Sequence, residues 1–330
     1  MHTHALATSL RRHGHDVTVF ASGESDPELG VEPVCPTASG LDLSKQALLD
    51  PSMLSDRFMH EHHAYLRLMM GLREREFDVV QNSSLHYLPI AMAGVLPGPV
   101  VTTLHTPPTP WIESAVSAAP QGDVTFVSVS QHNAAAWTRI TVDEVIPNGV
   151  DTSAWAFSEH ADPDLAVWTG RIVPEKGAHL AIDAAHAAGL RIELAGPADP
   201  DYYRCEVLPR LRDGDRYLGH LPQVELAAAV GRAAVQLCTP CWDEPFGLVV
   251  IEALACGTPV AAFERGAIRE ILTEETGRLA PPDDVDALAE AARDARLLDR
   301  KDCRRHVETN FSLEAMVERY ETLYRTVARA

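Results

Sequence analysis

The sequence predicts an α/β protein with two doubly wound, Rossmann-like parallel-sheet domains that face each other across a cleft. Short β-branched segments alternate with Ala- and Leu-rich segments of helical period, which is typical of βα units around a parallel sheet. A chain of 330 residues is long enough for two such domains. Several predicted strands end in Gly, Ser, Thr or His, at the carboxyl edge where open α/β sheets bind ligands.

Ten segments are predicted as strands because they are short, rich in β-branched residues and bounded by turn residues. Those of the first half are 16–21, 78–81, 99–104, 124–130 and 144–149. Those of the second half are 165–170, 191–196, 215–220, 233–239 and 258–263.

The turn-rich, acidic segment 148–164 is predicted to link the two domains. We therefore expect an amino-terminal Rossmann-like domain at 1–150 and a carboxy-terminal Rossmann-like domain at 151–310. A final helix over 311–330 carries an apolar stripe that has to pack against another part of the protein.

Composition excludes several classes of function. The net charge of −19 disfavours sequence-independent binding to nucleic acid or to anionic lipid. No apolar stretch of membrane-spanning length is present, and the first residues lack the apolar core of a signal peptide, so a cytoplasmic protein is expected. Six scattered cysteines do not form a disulfide scaffold. Composition does not predict an oligomeric state.

Two glutamates eight residues apart, Glu244 and Glu252, lie around a predicted helix start near Gly247. Eight helical residues rise about 12 Å, of the order of the distance from the sugar ring to the ribose of a nucleotide sugar. The free amides at this helix start favour an anion or sugar hydroxyls and belong to Phe246, Gly247 and Leu248. The alternative is an ordinary acidic helix start that stabilises the helix dipole.

A second motif, WTGRIVPEKG, places two cations in one loop at a strand end. The strand ends at Gly170, and Arg171 and Lys176 follow before a helix that begins near Gly177. In a chain with only three lysines this local positive charge is suited to a diphosphate. A surface turn in which Glu175 neutralises a neighbour is the alternative.

The pair EPFGLVVIEALACGTPV and GRIVPEKG resembles the retaining family 4 glycosyltransferases of the GT-B fold, and the resemblance extends over almost the whole chain. It implies that Glu244 contacts the donor sugar, Glu252 holds the ribose, and Arg171 and Lys176 stabilise the diphosphate leaving group. It also implies that Leu221 frames the nucleobase. The resemblance further implies that 1–150 is the acceptor domain and 151–310 the nucleotide-sugar donor domain. In the same family the final helix crosses back onto the amino-terminal domain.

The resemblance extends to three residues of the first half. His105 directly follows a strand and is similar to the family's active-site histidine beside the donor sugar. Ser130 and Asn148 match further positions that line the cleft. Their alternatives are a helix cap for Ser130 and an Asn-Gly turn for Asn148.

Two other clusters are interpreted as structural. The spacing of the histidines in MHEHH (59–63) fits a helical zinc site poorly, and CTPC (238–241) does not open a helix as a redox motif does. We expect no metal and no bound cofactor, with the nucleotide sugar as substrate.

The sequence-based hypothesis is a metal-independent hexosyltransferase that uses a UDP-sugar and a hydroxylated small-molecule or glycan acceptor. Family members begin with a strand and a Gly-rich loop that this sequence lacks, so the first strand of the amino-terminal domain is expected to be missing. This difference leaves a second hypothesis, a non-catalytic subunit that binds nucleotide. A sugar-nucleotide epimerase is a weaker rival.

Overall fold

The computed structural model describes residues 2–34, 43–49, 55–119 and 122–328. It divides into two compact units. The amino unit comprises Met1–Ser128, Ala136–Glu144 and Val317–Ala330, and the carboxy unit comprises Val129–Ala135 and Val145–Met316. No helix in these described ranges is both long enough and apolar enough to cross a membrane.

The amino unit contains a four-stranded sheet of order β3-β4-β5-β6 and a separate parallel pair, β1-β2. Up to its last strand its elements are α1 (His2–Arg12), β1 (Phe20–Ala21), β2 (Glu32–Pro33), α2 (Asp56–Leu72), β3 (Val80–Asn82), α3 (Leu88–Ala91), β4 (Val100–Leu104), α4 (Pro110–Ala118) and β5 (Val124–Ser128). All five residues of β4 are buried, as expected of a central strand whose two faces are both covered.

The chain passes from one unit to the other within two short elements. They are α5 (Gln131–Ala136) and β6 (Glu144–Val145). The sheet of the amino unit ends at β6, which neighbours β5.

The carboxy unit is a doubly wound, six-stranded parallel sheet of order β12-β11-β10-β7-β8-β9. Its elements, with the final helix, are β7 (Asp162–Thr169), α6 (Ala178–Ala187), β8 (Arg191–Ala195), α7 (Pro200–Tyr202), β9 (Arg216–Tyr217), α8 (Gln223–Arg232), β10 (Ala233–Cys238), α9 (Leu248–Ala255), β11 (Val260–Phe263), α10 (Ile268–Ile271), β12 (Gly277–Ala280), α11 (Val285–Ala295), α12 (Arg300–Asn310) and α13 (Leu313–Val327).

The side chains of β7 point alternately to the two faces of this sheet, and both faces are covered by helices. Leu165 and Val167 pack into one hydrophobic cluster with α8, α9 and α12. Ala166 and Trp168 point to the opposite cluster with α6 and α11. Because successive side chains of a strand point to opposite faces, one β-branched segment supplies both cores.

From Val317 onward, α13 belongs to the amino unit. Tyr320 is fully buried there, and its hydroxyl lies 2.9 Å from Thr103 Oγ1 on β4. The Tyr324 hydroxyl donates to Gln81 Oε1 at 2.9 Å. The part of the apolar stripe from Val317 onward therefore packs within this unit, with Tyr320 against β4.

Each of the ten predicted strand segments contains a strand, although some are much shorter than predicted. The sequence analysis missed β2 and β12. The segment 148–164 is partly structured, because Trp155 is 2% exposed in the core of the carboxy unit and residues from Asp162 onward form β7. A large apolar ring is stabilised by burial even in a turn-rich segment.

Candidate functional site

Two loops meet at the carboxyl edge of the carboxy unit's sheet. One follows β7 and the other follows β10, which is the neighbour of β7 in the sheet. Gly170, at the end of β7, has φ 149°, and a Cβ on Gly196 would lie 1.8 Å from the Gly170 carbonyl oxygen. Only glycine permits this close approach of two backbones.

The centre of the site is an ion pair between Lys176 and Glu244, one from each loop. The indole nitrogen of Trp242 donates to the same carboxylate oxygen, Glu244 Oε1, at 3.0 Å. The Lys176 ammonium also lies 5.2 Å from the centroid of the Trp242 ring. Both charged side chains are mostly buried, so the ammonium and the carboxylate are held in place by each other and by the indole.

Main-chain contacts fix the two loops to each other. The Cys241 amide donates to the Glu175 carbonyl oxygen at 2.9 Å, and the Thr239 hydroxyl donates to the Gly177 carbonyl oxygen at 2.8 Å. Gly177 has φ 67°, and a Cβ there would lie 2.1 Å from the Thr239 carbonyl oxygen. The position of Lys176 is therefore set by the backbone.

The loop that carries Glu244 is supported from the following βα connection. The Ala267 amide donates to the Glu244 carbonyl oxygen at 2.9 Å. Gly266 has φ 61°, and a Cβ there would lie 2.2 Å from that same oxygen. This glycine allows the support, and nothing in the sequence pattern singled it out.

The helix α9 begins just after this loop. Gly247 precedes the helix with φ 105°, and no side chain caps it. Within the described ranges, no acceptor is found for the amides of Phe246, Gly247 and Leu248. The Phe246 ring is buried against Phe311. The three amides thus form an open donor group at a helix start.

Glu252 lies in the second turn of α9 and is 7% exposed. Within the described part of the chain, its carboxylate accepts no hydrogen bond and forms no ion pair. Burial raises the pKa of Glu252 to about 7. Only Leu248–Glu252 of the interval from Glu244 is helical, so the rise of eight helical residues does not apply to this interval.

The remaining predicted site residues of the carboxy unit differ in exposure and in hydrogen bonding. Arg171 is exposed and forms an ion pair with Glu175, four residues on, with 3.6 Å between Nη2 and Oε1. Asn148 is 5% exposed, and its Oδ1 has no partner in the described structure. The Ser130 hydroxyl donates to the Pro245 carbonyl oxygen at 2.6 Å and caps Asn133. Leu221 is partly buried in the loop between β9 and α8.

His105 belongs to the amino unit, directly after β4. Its ring contacts that of His2, with 4.6 Å between the ring centroids. Burial lowers the pKa of His105 to about 4, so this imidazole is neutral at neutral pH. A neutral imidazole both donates and accepts a hydrogen bond.

Sequence reasoning missed the roles of Trp242 and Thr239. The Thr239 hydroxyl also accepts from the Trp168 indole at 3.0 Å, so it connects β7 to both loops. The only sequence signal for Trp242 is its place two residues before Glu244. Among the described residues, no group of three His, Cys, Asp or Glu side chains is arranged to hold a metal ion.

Two family profiles together match most of the chain. The family profile described as Glycosyltransferase Family 4 matches residues 1–154, and that described as Glycosyl transferases group 1 matches residues 151–311.

Two curated relatives are similar over most of their length. The glycogen synthase of Mycobacterium tuberculosis strain H37Rv is 27% identical over 88% of this chain and 80% of its own. The phosphatidyl-myo-inositol mannosyltransferase of Mycolicibacterium smegmatis is 28% identical over 88% and 78%.

Solved structures share the fold. HepE from Anabaena, solved with UDP and glucose, has a TM-score of 0.74 at 17% identity and matches 98% of this chain and 95% of its own. Sucrose-phosphate synthase from Thermosynechococcus elongatus also has a TM-score of 0.74, at 21% identity over 98% and 92%. Together the two family profiles span residues 1–311, and this chain belongs to the family 4 glycosyltransferases of the GT-B fold.

Proposed function

We propose that this glycosyltransferase moves a hexose from a UDP-sugar to a hydroxylated acceptor with retention of anomeric configuration and without a metal ion. The observation that carries the proposal is the Lys176–Glu244 pair, held by backbone contacts four residues ahead of an uncapped helix start. Cation, carboxylate and free amides are the groups that recognise a diphosphate joined to a sugar.

Glu252 is proposed to hold the ribose of the donor. Its buried carboxylate has no partner in the described structure, and an isolated carboxylate is unfavourable in such a place. A ribose offers two neighbouring hydroxyl donors, which would stabilise the ionised form. The ligand would then supply the hydrogen bonds that the fold leaves unmade.

The leaving diphosphate is proposed to be stabilised by Lys176, Arg171 and the amides at the start of α9. Lys176 and the backbone amides are fixed before the reaction, so charge that develops on the leaving oxygen needs little reorganisation of these groups. Glu244 is bonded to Lys176 and Trp242, which suits it to receive sugar hydroxyls and not to attack the anomeric carbon. Retention would then follow a front-face route in which the departing oxygen takes the acceptor proton.

His105 is proposed to form a hydrogen bond with a hydroxyl of the donor sugar. Its lowered pKa keeps the ring neutral, and a neutral ring recognises a hydroxyl without adding charge. Metal independence is proposed because Lys176 and Arg171 can neutralise the charge of the diphosphate. The complex of HepE with UDP and glucose supports uridine as the nucleotide. The named relatives use different acceptors, so the acceptor is proposed only as a hydroxylated compound.

Binding and turnover are tested in two steps. First, UDP should raise the thermal midpoint of the chain more than GDP does, with EDTA present throughout. A ligand at 100 times its Kd adds about 2.7 kcal/mol to the free energy of unfolding. Second, UDP-sugars are assayed for transfer and hydrolysis, and the anomeric configuration of the product is read by NMR. Binding of UDP without any turnover would favour the non-catalytic subunit.

Substitutions at the cations then test the mechanism. Lys176→Ala and Arg171→Ala should each lower kcat by about 10²-fold or more, as for other preorganised charge contacts. Lys301→Ala is the matched control, because Lys301 is exposed and forms an ion pair with Glu159 away from the proposed donor site. Near-normal turnover in the Lys176 variant would contradict the assigned role.

A further inference from the structure

Six aromatic and imidazole rings of the amino unit form a cluster that the proposed donor chemistry does not use. They come from α2, from the segment that leads into α3, and from the start of α4. This set is called the aromatic cluster here and consists of Phe58, His62, Tyr65, His86, Tyr87 and Trp111.

Neighbouring rings of the aromatic cluster are nearly parallel. The Tyr65 and His86 rings lie 4.1 Å apart at an interplanar angle of 7°. Tyr87 lies 4.9 Å from His86 at 20° and 5.3 Å from Trp111 at 18°. Phe58 stacks on Trp111 at 5.6 Å and 26°. These are offset-stacked geometries, so each ring restricts the rotation of the next.

The aromatic cluster is only partly enclosed. Tyr65 and Tyr87 pack against the hydrophobic core of the unit. Trp111, by contrast, is 48% exposed, and the other five rings are of intermediate exposure. A half-exposed tryptophan that is held by neighbouring rings presents apolar area to solvent with little loss of side-chain freedom on binding.

Polar groups lie at the edge of the same surface. His86 Nδ1 accepts from the Leu88 amide at 3.2 Å, so the ring proton is on Nε2, for which the described residues provide no partner. Burial, and then repulsion by His62, lowers the pKa of His86 to about 4. The Tyr87 hydroxyl lies 3.1 Å from His62 Nδ1, which orients that imidazole as well.

We propose that the aromatic cluster binds neutral carbohydrate, with a pyranose ring on Trp111 and its hydroxyls bonded by the imidazole edges. A pyranose has an apolar face of C–H bonds and a rim of hydroxyls, which matches a stacked ring bordered by hydrogen-bonding groups. The cluster contains no Lys or Arg, and the chain has a net charge of −19, so a phosphorylated ligand is disfavoured.

If the bound carbohydrate is the acceptor of the transfer reaction, that role rests on the proposed function. As a carbohydrate-binding surface, the aromatic cluster rests on the amino unit alone. The two statements can fail separately, because UDP binding is assigned to residues of the carboxy unit.

The test uses the full chain with maltohexaose, cellohexaose and mannohexaose at millimolar concentration, followed by saturation-transfer NMR, with UDP binding measured on the same samples. We expect at least one hexasaccharide to bind, and Trp111→Ala to weaken its affinity by about tenfold. The control is Met70→Ala, since Met70 is 55% exposed on α2 outside the cluster. It should leave the affinity unchanged, and both variants should keep the UDP-induced thermal shift.

Three results would overturn the proposal. They are no hexasaccharide binding to wild-type protein that binds UDP, equal affinity in wild type and the Trp111 variant, and displacement of the sugar by inorganic phosphate. Hexasaccharide binding that depends on Trp111 in protein that does not bind UDP would support this surface and refute the proposed transfer from a UDP-sugar.

Discussion

Replacing Glu252 by Gln should stabilise the carboxy unit at high pH and weaken its binding of the donor. Burial raises the pKa of this carboxyl from 4.5 to about 7. Between these two values the folded protein holds a proton that the unfolded chain has lost, so the free energy of unfolding falls as the pH rises. Above about pH 7 both states are ionised and the loss is complete.

The size of the effect follows from the width of that interval. A shift from 4.5 to about 7 corresponds to about 3 kcal/mol, at roughly 1.4 kcal/mol for each pH unit. The Gln variant keeps a neutral side chain of similar shape and avoids this loss. It should match wild type near pH 5 and exceed it by about 3 kcal/mol at pH 8, which is about 2–4 °C for each kcal/mol in a unit of this size.

The assay is thermal unfolding of wild type and Glu252→Gln from pH 5 to pH 8.5, with and without UDP. Glu225→Gln is the control, because it makes the same substitution at an exposed side chain at the start of α8, outside the proposed donor site. UDP should stabilise wild type at pH 8 and stabilise the Glu252 variant much less. A stability difference between wild type and Glu252→Gln that stays constant over this pH range would refute the reasoning.

The remaining predictions concern the loop that holds Glu244. Gly266→Ala should abolish turnover, since the new Cβ would lie 2.2 Å from the Glu244 carbonyl oxygen; Gly189→Ala, at φ 78° with nothing within 4 Å, should lower the thermal midpoint but leave kcat/KM unchanged. Equal losses of activity in the two alanine variants would show that the close approach is not what matters. Trp242→Phe keeps a ring beside the ammonium but removes the indole donor, and should lower kcat/KM by up to about tenfold while UDP binding is retained. Unchanged kinetics would show that the indole does not position the carboxylate.

Local sequence predicted most of the fold of the carboxy unit. The start of α9 at Leu248 agrees with the helix start predicted near Gly247. The strands β7 and β10 were found because β-branched and small apolar residues run to a turn residue. These signals act within a few residues, so they can be read without knowing the neighbours in space.

Predictions were weaker where the neighbours in space decide the structure. The strand β12, Gly277–Ala280, contains Arg278 and only two apolar side chains, and pairing with β11 makes it a strand. Trp155 lies in a turn-rich segment, and the core cluster beneath it decides that it is buried. The separation of Glu244 from Glu252 could not be obtained by counting residues, because half of the interval is loop.

The sequence by itself determined the order of βα units, the two loops that carry charge and the family, because each is encoded in short runs of residue types. Only the tertiary structure decided that Lys176 pairs with Glu244, that Trp242 orients the pair, and that Glu252 is buried without a hydrogen-bond partner among the described residues. These properties arise from close approaches between loops of neighbouring strands. Their energies depend on distances and burial that no local pattern specifies.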